Sequence, residues 1–360
     1  MKFTANTLAL QKALIPFIDL NPLREKIMVG LNLKSGMLTV SFCDEGEVFK
    51  MKSELQVSDA EDGTVFLSYK EFWACISIIK EETVFVELKD ENIFSISYGN
   101  KIIELNTNND DCAVEKIELD NIVPSVELTG KDFKRIIRQT IRSVSEDENR
   151  PAMAGVYFNK VGNILEAAAT NGRIIAVSKL PCDKDFEAFR ISSKSLYISQ
   201  KYMQNEDTVK VYYDGEKSVI SFGNIFIEQK EKDLSEMPFP KYRKVFTEFK
   251  NKTVISKSNF YDSLRSFANS LDDPMIIRIS IEKNQFEMKS ESSKVTISCS
   301  EVSESFTAEL NLVYMMNIVS LIEAEELEVY FGAENGSSML QIKIKESDSY
   351  EALIAPLIDK

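Results

Sequence analysis

The 360-residue sequence contains no histidine. That excludes Ser-His-Asp and Cys-His nucleophilic machinery and every histidine-ligated metal site. Its five cysteines, Cys43, Cys75, Cys112, Cys182 and Cys299, are scattered, odd in number and never spaced C-x-x-C. Such usage fits a reducing compartment and argues against a thiolate zinc site. No apolar run approaches the roughly 18 residues that a membrane-spanning helix needs. Neither a G-x-x-x-x-G-K-[ST] phosphate loop nor a G-x-G-x-x-G dinucleotide fingerprint is present. Met1-Lys2 leads into an amphipathic segment rather than a secretory leader, so the expected location is cytoplasmic. Carboxylates are plentiful, 57 in all, but they gather in turn-like runs such as Asp110-Asp111, Glu146-Asp147-Glu148 and Asp272-Asp273. The expectation is therefore a chain with no catalytic residue, no cofactor and no metal.

What the chain does have is a repeat. An apolar residue, then Ser, Thr or Asn, then three residues and another apolar one, occurs at Phe3-Thr4…Leu8, Leu128-Thr129…Phe133 and Ile255-Ser256…Phe260. It recurs at Leu67-Ser68…Phe72, Ile191-Ser192…Leu196 and Leu310-Asn311…Met315. The first three start 125 and 127 residues apart, and the second three follow them by 64, 63 and 55. Each site reads as a short strand turning into a helix, with the small polar residue as N-cap. Alternating strands follow, as in Thr83–Glu87, Thr208–Tyr212 and Leu327–Phe331. Hydrophobic content of 44% is enough for real cores. The reading is an α+β chain of three similar domains, 1–121, 122–247 and 248–360, each a doubled strand–helix–strands unit.

Charge is distributed unevenly over this repeat. The net charge is −14, yet the six helical windows (4–18, 68–80, 129–143, 192–202, 256–270 and 311–322) hold twelve basic and three acidic residues. Helices favour Glu as readily as Lys, so propensity alone does not account for the bias. The densest window is Val126–Ser143. There Phe133, Ile136, Ile137 and Ile141 fall on one helical face, and Lys131, Lys134, Arg135, Arg138 and Arg142 on the other. A basic face of this kind is either solvated or turned toward a polyanion. The acidic remainder of the chain favours the second reading.

Along the chain, Pro16 is expected to end or kink the first helix. Arg24 and Lys26 fall in an Asn-Pro loop, and Lys101–Asn106 reads as an alternating strand. Arg150–Phe158 reads as a strand entry. Asn171-Gly172, between two apolar runs, is a hairpin signal. Met237–Phe246 reads as an extended, Pro-containing connector. Tyr350–Lys360 is unusually apolar for a tail, which leaves docked core and binding groove both open.

Taken in order, Arg150-Pro-Ala-Met-Ala-Gly-Val-Tyr-Phe, Ala169-Thr-Asn-Gly-Arg-Ile-Ile-Ala-Val, Phe239-Pro-Lys-Tyr-Arg-Lys-Val, Asn311-x-x-Tyr314 and a C-terminal apolar-Pro-apolar run resemble the bacterial DNA polymerase III beta subunit family, the beta sliding clamps. The resemblance covers the whole chain. It implies a head-to-tail homodimer closing into a ring around duplex DNA, with helices lining the hole. Such a ring is a non-catalytic processivity factor that contacts DNA without sequence preference and tethers polymerase and clamp loader through short apolar peptides. The DNA-facing residues it implies are Lys12, Arg24, Lys131, Lys134, Arg135, Arg138, Arg142, Arg150, Lys194, Lys201, Lys257 and Arg265. The implied peptide pocket is Met153, Thr170, Gly172, Ile174, Ile175, Pro240, Lys244, Val245, Asn311, Tyr314, Met339, Leu353, Ile354, Ala355, Pro356 and Leu357. The implied dimer contacts are Ile103 and Leu105 with Phe267 and Leu271. The sequence departs from the family pattern at Asn171, where the family has Asp, at Ile174-Ile175 in place of Arg-Leu, and at Ala355-Pro356-Leu357 in place of Met-Pro-Met. Two alternatives remain at this point: a divergent paralogue with other partners, and a carboxylate- or metal-dependent hydrolase.

Overall fold

The computed structural model describes residues 1–20, 27–44, 48–90, 92–107, 117, 119, 122–147, 149–230, 239–270, 275–333 and 338–357. Among them are six α-helices: α1 (Thr7–Leu14), α2 (Tyr69–Ile76), α3 (Gly130–Thr140), α4 (Ser193–Tyr202), α5 (Lys257–Ala268) and α6 (Leu312–Val319). Each follows a strand directly, as the repeat predicts. No helix among the described residues is long and apolar enough to cross a membrane.

Four of the small polar residues before the helices are seen to cap them. Ser68 accepts from Glu71 N at 3.5 Å, Ser192 from Ser195 N at 3.3 Å, Ser256 from Asn259 N at 3.4 Å and Asn311 from Tyr314 N at 3.1 Å. Each bond satisfies one of the orphan amides of a first turn. The first copy differs from the expectation. Thr4 lies inside the strand Lys2–Asn6, paired with Phe85, and the cap is Asn6, which accepts from Ala9 N at 3.0 Å. The ladder to Thr83–Asp90 runs through Asn6, so the backbone cannot turn two residues earlier. α1 ends at Leu14, and a 3-10 turn carrying Pro16 continues over Ile15–Asp19. Pro near the start of such a turn costs no hydrogen bond.

The chain forms two compact units, residues 1–131 with 197–231 and residues 132–196 with 232–360. Each contains one eight-stranded antiparallel sheet and one smaller sheet. In the first unit the large sheet runs Val126–Thr129, Thr208–Tyr213, Lys217–Phe222, Ile225–Lys230, Phe49–Gln56, Met37–Cys43, Met28–Lys34, Gly63–Ser68. Its five-stranded sheet runs Ser58–Glu61, Lys2–Asn6, Thr83–Asp90, Ile93–Tyr98, Lys101–Asn106. In the second unit the large sheet runs Phe189–Ser192, Gly155–Val161, Ile164–Thr170, Ile174–Pro181, Ser347–Ile354, Leu340–Ile344, Glu326–Ala333, Phe249–Ser256. The four-stranded sheet is Lys294–Ser298, Gln285–Lys289, Ile276–Glu282, Phe306–Asn311. Segment 122–247 thus supplies strands to both large sheets, pairing with residues of segment 1–121 in one and of 248–360 in the other.

In the second unit the core is one cluster. Phe260, Leu264 and Phe267 of α5 and Leu312, Met315, Ile318 and Val319 of α6 pack with Ile277, Ile279 and Ile281 of the small sheet and Leu327, Val329, Ile342 and Tyr350 of the large one. The C-terminal Ser347–Ile354 is docked core strand, buried from Tyr350 to Ile354. The connector is less extended than its prolines suggest. Tyr242–Val245 is a 3-10 turn, and Phe239 and Tyr242 are buried against Ala168 and Val177. Arg150–Phe158 likewise opens with a 3-10 turn, Pro151–Met153, before its strand.

Gly130 starts α3 under a close backbone contact. A Cβ there would stand 1.9 Å from Gln204 O. Neither backbone can yield, because Gly130 N donates to Asp207 O at 2.8 Å and Lys131 N to Asn205 O at 3.1 Å. Gly130→Ala is therefore expected to destabilise the protein by about 3 kcal/mol or more, read as a fall in the midpoint of urea unfolding with the slope unchanged.

Candidate functional site

α3 is amphipathic in the way its sequence dictates. Phe133, Ile136, Ile137 and Ile141 are buried, with Phe133 stacked on Phe158 at 6.1 Å. Burying such side chains contributes about 1.5–3 kcal/mol each. Repulsion between like charges at i,i+4 costs only about 0.2–0.5 kcal/mol per pair, so the apolar face sets the helix and the cations follow it. Lys131 and Arg142 are exposed, while Lys134, Arg135 and Arg138 are half-buried. Part of their charge is answered locally. Arg135 lies 3.6 Å from Asp132, Arg138 pairs with Glu323, and Arg142 Nη1 donates to Ser320 Oγ at 3.2 Å. Lys131 and Lys134 have no acidic partner among the described residues.

The remaining implied cations are dispersed. Lys12 and Lys201 line one cavity of about 360 Å³ with Ile15, Pro16, Tyr202 and Asn224. Lys201 pairs there with Asp19 at 2.9 Å. Lys194 and Arg265 are exposed on α4 and α5, and Lys257 lies 5.1 Å from the Tyr261 ring. Arg150 sits elsewhere, beside the 171–174 turn, with Nη1 3.0 Å from where a Cβ on Gly172 would stand. Arg24 lies outside the described residues.

The implied pocket residues converge in the second unit. Ile174–Ser178 pairs antiparallel with Tyr350–Ile354, setting Ile174 opposite Ile354 and Ile175 opposite Leu353. Neighbouring strand positions face opposite ways. Ile174 and Ile354 accordingly join the core with Leu312 and Met315 of α6, while Ile175 packs with Phe239 and Tyr242 of the connector. The turn before Ile174 is a four-residue loop rather than a two-residue hairpin, closed by the pair Thr170 and Ile175. Asn171 Oδ1 accepts from Arg173 N at 2.9 Å and Ile174 N at 3.0 Å. Asn therefore holds the turn with the same oxygen that an Asp would use. Gly172, at φ +86°, supplies the left-handed residue. Thr170 Oγ1 donates to Ile174 O at 2.7 Å and accepts from Gly172 N at 3.0 Å.

Beyond the last strand, Ala355 N donates to Arg173 O at 2.8 Å and Leu357 N to Glu309 O at 2.9 Å. These bonds bring the tail Ala355-Pro356-Leu357 to the 171–174 turn and to the strand that Asn311 ends. Asn311 is spent capping α6, with its side chain on Tyr314 N. Met153, Ile175, Pro240, Tyr314, Ala355, Pro356 and Leu357 are half-buried, and Gly172, Lys244 and Val245 exposed. Ile174, Leu353, Ile354, Met339 and Thr170 are buried.

Sequence reasoning missed a charged network under this surface. Glu166 and Glu351, each 4% exposed, lie on the large sheet. Arg243 Nε donates to Glu166 Oε2 at 2.8 Å, Nη2 to Glu166 Oε1, and Nη1 to Glu351 Oε1 at 2.6 Å. Tyr242 Oη donates to Glu166 at 2.7 Å, and Lys179 and Gln341 reach Glu351 at 2.8 and 2.9 Å. Burial pushes the Tyr242 phenol up, helped by the Glu166 carboxylate. Burial alone would raise the Glu351 carboxyl, but donation from Lys179 and Arg243 outweighs it and holds the group below its ordinary value. Two acids in otherwise apolar stretches, LEAAAT and YEALI, were the available signal.

Of the implied dimer contacts, Ile103 and Leu105 lie half-buried on the edge strand Lys101–Asn106, which pairs on one side with Ile93–Tyr98. Ile102 on the opposite face is 63% exposed. Phe267 is placed otherwise: at 1% exposure it sits inside the core, on the same helical face as Phe260 and Leu264, and presents no surface to a second chain. Leu271 lies outside the described residues.

The chain is similar to known proteins in sequence and in fold. The family model for the central domain of the DNA polymerase III beta subunit matches residues 127–240. The chain is 23% identical over 295 residues to the beta sliding clamp of Halalkalibacterium halodurans, covering 80% of this chain and 73% of that protein. It is 28% identical over 246 residues to the beta sliding clamp of Staphylococcus epidermidis, covering 65% of this chain and 64% of that protein. Its backbone matches the crystal structure of the DNA polymerase sliding clamp from Bacillus subtilis over 100% of both chains, with a TM-score of 0.90 at 17% identity.

The carboxylate network has a measurable consequence in acid. Glu351 is held below the ordinary glutamate value of 4.5, so the unfolded state takes up its proton first. Its stabilisation is full above that value and is lost as the pH falls through the folded one. Between about pH 5 and pH 3 the wild type should lose stability more steeply than Glu351→Gln, read from urea midpoints along a pH series.

Proposed function

We propose that the chain is a member of the bacterial DNA polymerase III beta subunit family and acts as a DNA sliding clamp, a ring-shaped processivity factor that encircles duplex DNA. On this reading the chain is organised as three clamp domains, 1–121, 122–247 and 248–360, and two copies join head to tail. It works in the cytoplasm and performs no chemistry of its own. Polymerase, clamp loader and other replication and repair proteins are held by short peptides with apolar anchors at the surface built from Met153, Ile175, Pro240, Val245, Tyr314 and the Ala355–Leu357 tail. Affinities in the micromolar range, about −8 kcal/mol, suit such exchangeable tethers.

The observation that carries the proposal is the one-sided basic helix in a protein of net charge −14. Phosphate contacts without base readout give affinity but no register, which permits sliding. An acidic remainder discourages binding anywhere else. The surviving candidate for the dimer contact is the edge strand with Ile103 and Leu105, since an unpaired strand edge with apolar side chains is a template for a second chain.

Replacing Lys134, Arg135 and Arg138 together with Glu should leave the fold intact, because the buried face is untouched. Retention on DNA should fall sharply, and the slope of log affinity against log salt should flatten by about 3. A folded triple variant as DNA-competent as wild type across a salt series would place this helix on a solvent face. Independently, Ile103→Lys with Leu105→Lys should convert a micromolar dimer to monomer by light scattering, because burying unpaired ammonium groups is costly. A variant that stays dimeric would move the interface off that edge.

A further inference from the structure

We propose that Arg243 is the positioning residue of the peptide site. By bridging Glu166 and Glu351 it fixes the Tyr242–Val245 turn, and with it Pro240 and Val245, against the sheet face that carries Ile175 and Leu353. The inference rests on the peptide-tether reading above and adds the device that shapes the site.

The two large sheets are related by the internal repeat. The ladders Met37–Cys43 with Lys50–Gln56 and Ile164–Thr170 with Ile175–Pro181 each run seven pairs, so Cys43 opposite Lys50 corresponds to Thr170 opposite Ile175. On the next strand, Lys50 opposite Glu228 then corresponds to Ile175 opposite Leu353. The apolar pair of one sheet is an ion pair in the other. Lys50 Nζ stands 3.7 Å from Glu228, and Lys217 Nζ reaches the same carboxylate at 3.0 Å. The same correspondence sets Thr39 against Glu166 and Phe226 against Glu351. The apolar pair and the two acids therefore occur together in one sheet and are both absent from its sister.

The sister sheet folds without those acids, so the architecture does not require them. Buried carboxylates are costly unless matched. Their match is Arg243, bidentate on Glu166 and reaching Glu351 from the connector rather than from the sheet. Glu166 and Glu351 lie on the two strands that flank Ile174–Pro181, and a planar guanidinium can bridge two such carboxylates in a way that an ammonium cannot. The guanidinium carbon also lies 5.4 Å from the Tyr242 ring and 5.3 Å from Phe246, which holds it in place. The bridge ties the strands Ile164–Thr170 and Ser347–Ile354 to the segment carrying Pro240, Lys244 and Val245. None of its three charged groups needs to touch a peptide.

The test is fluorescence anisotropy of the full chain with a fluorescein-labelled hexapeptide bearing leucine and phenylalanine anchors. Arg243→Ala is expected to weaken binding at least about tenfold, with dimerisation unchanged. Arg243→Lys, which reaches one carboxylate only, should fall between Ala and wild type. Lys179→Ala is the control: Lys179 shares Glu351 but is borne by the sheet, so its loss should change affinity less than about twofold. Should Arg243→Ala fail to fold, the quadruple variant Glu166→Gln/Lys179→Gln/Arg243→Gln/Glu351→Gln removes the bridge together with Lys179, which would otherwise lose its partner, and should show the same weakening. Wild-type affinity in a folded variant lacking Arg243 overturns the proposal. So does a Lys179→Ala loss equal to that of Arg243→Ala, which would make the network a general stabiliser. A wild type that does not bind the hexapeptide counts against the peptide-tether reading itself.

Discussion

The pairing of Ile174–Ser178 with Tyr350–Ile354 is the contact on which the second unit depends. It joins strands far apart in sequence into one eight-stranded sheet. Its two faces do different work: Ile174 and Ile354 close the core beneath α6, and Ile175 and Leu353 turn the other way, toward the connector. A one-residue slip would exchange those faces and put both isoleucines on the wrong side. The register is held by the 171–174 turn at one end, by the buried acid Glu351 among its three donors, and by Ala355 N on Arg173 O beyond the last pair. Pairing of Phe49–Ser53 with Ile225–Gln229 plays the same part in the first unit, with an ion pair where the second has an apolar pair.

Much of this was legible in the sequence because it rests on local rules. A cap needs a short polar side chain just before a helix, and the repeated Ser and Asn positions showed it. The pattern misplaced the first copy, since Thr4 satisfies the same loose motif that Asn6 fulfils structurally. The basic and buried faces of α3 follow directly from its period. The connector was harder: prolines suggest extension, and nothing local says that Phe239 and Tyr242 will find a pocket over Ala168 and Val177. Phe267 was assigned to a surface by family position, although its spacing from Phe260 and Leu264 already pointed inward. The Glu166–Arg243–Glu351 bridge joins three distant segments, so no local pattern could reveal it.

On the proposed function, the electrostatics of α3 are a compromise between folding and binding. The apolar face fixes the helix, and Asp132, Glu323 and Ser320 soften the crowding of its cations. Exposed pairs of this kind are worth little and exchange readily with other anions. Phosphates can therefore displace them without disturbing the fold. Screening acts over about 10 Å at 0.1 M salt, so the proposed contact with a duplex would be short-ranged and loose. A loose, sequence-blind contact holds its DNA only if something else prevents escape, and on the proposed function topological closure supplies that.

The account therefore stands or falls on closure, and one measurement addresses it. The protein is placed on closed circular duplex by its cognate loader, freed of unbound chain, and the DNA is then cut once. The account predicts long retention on the circle and rapid loss after the cut, as the ring runs off the new ends. Equal release before and after cutting would show that direct affinity rather than encirclement holds the protein, and would contradict the clamp reading.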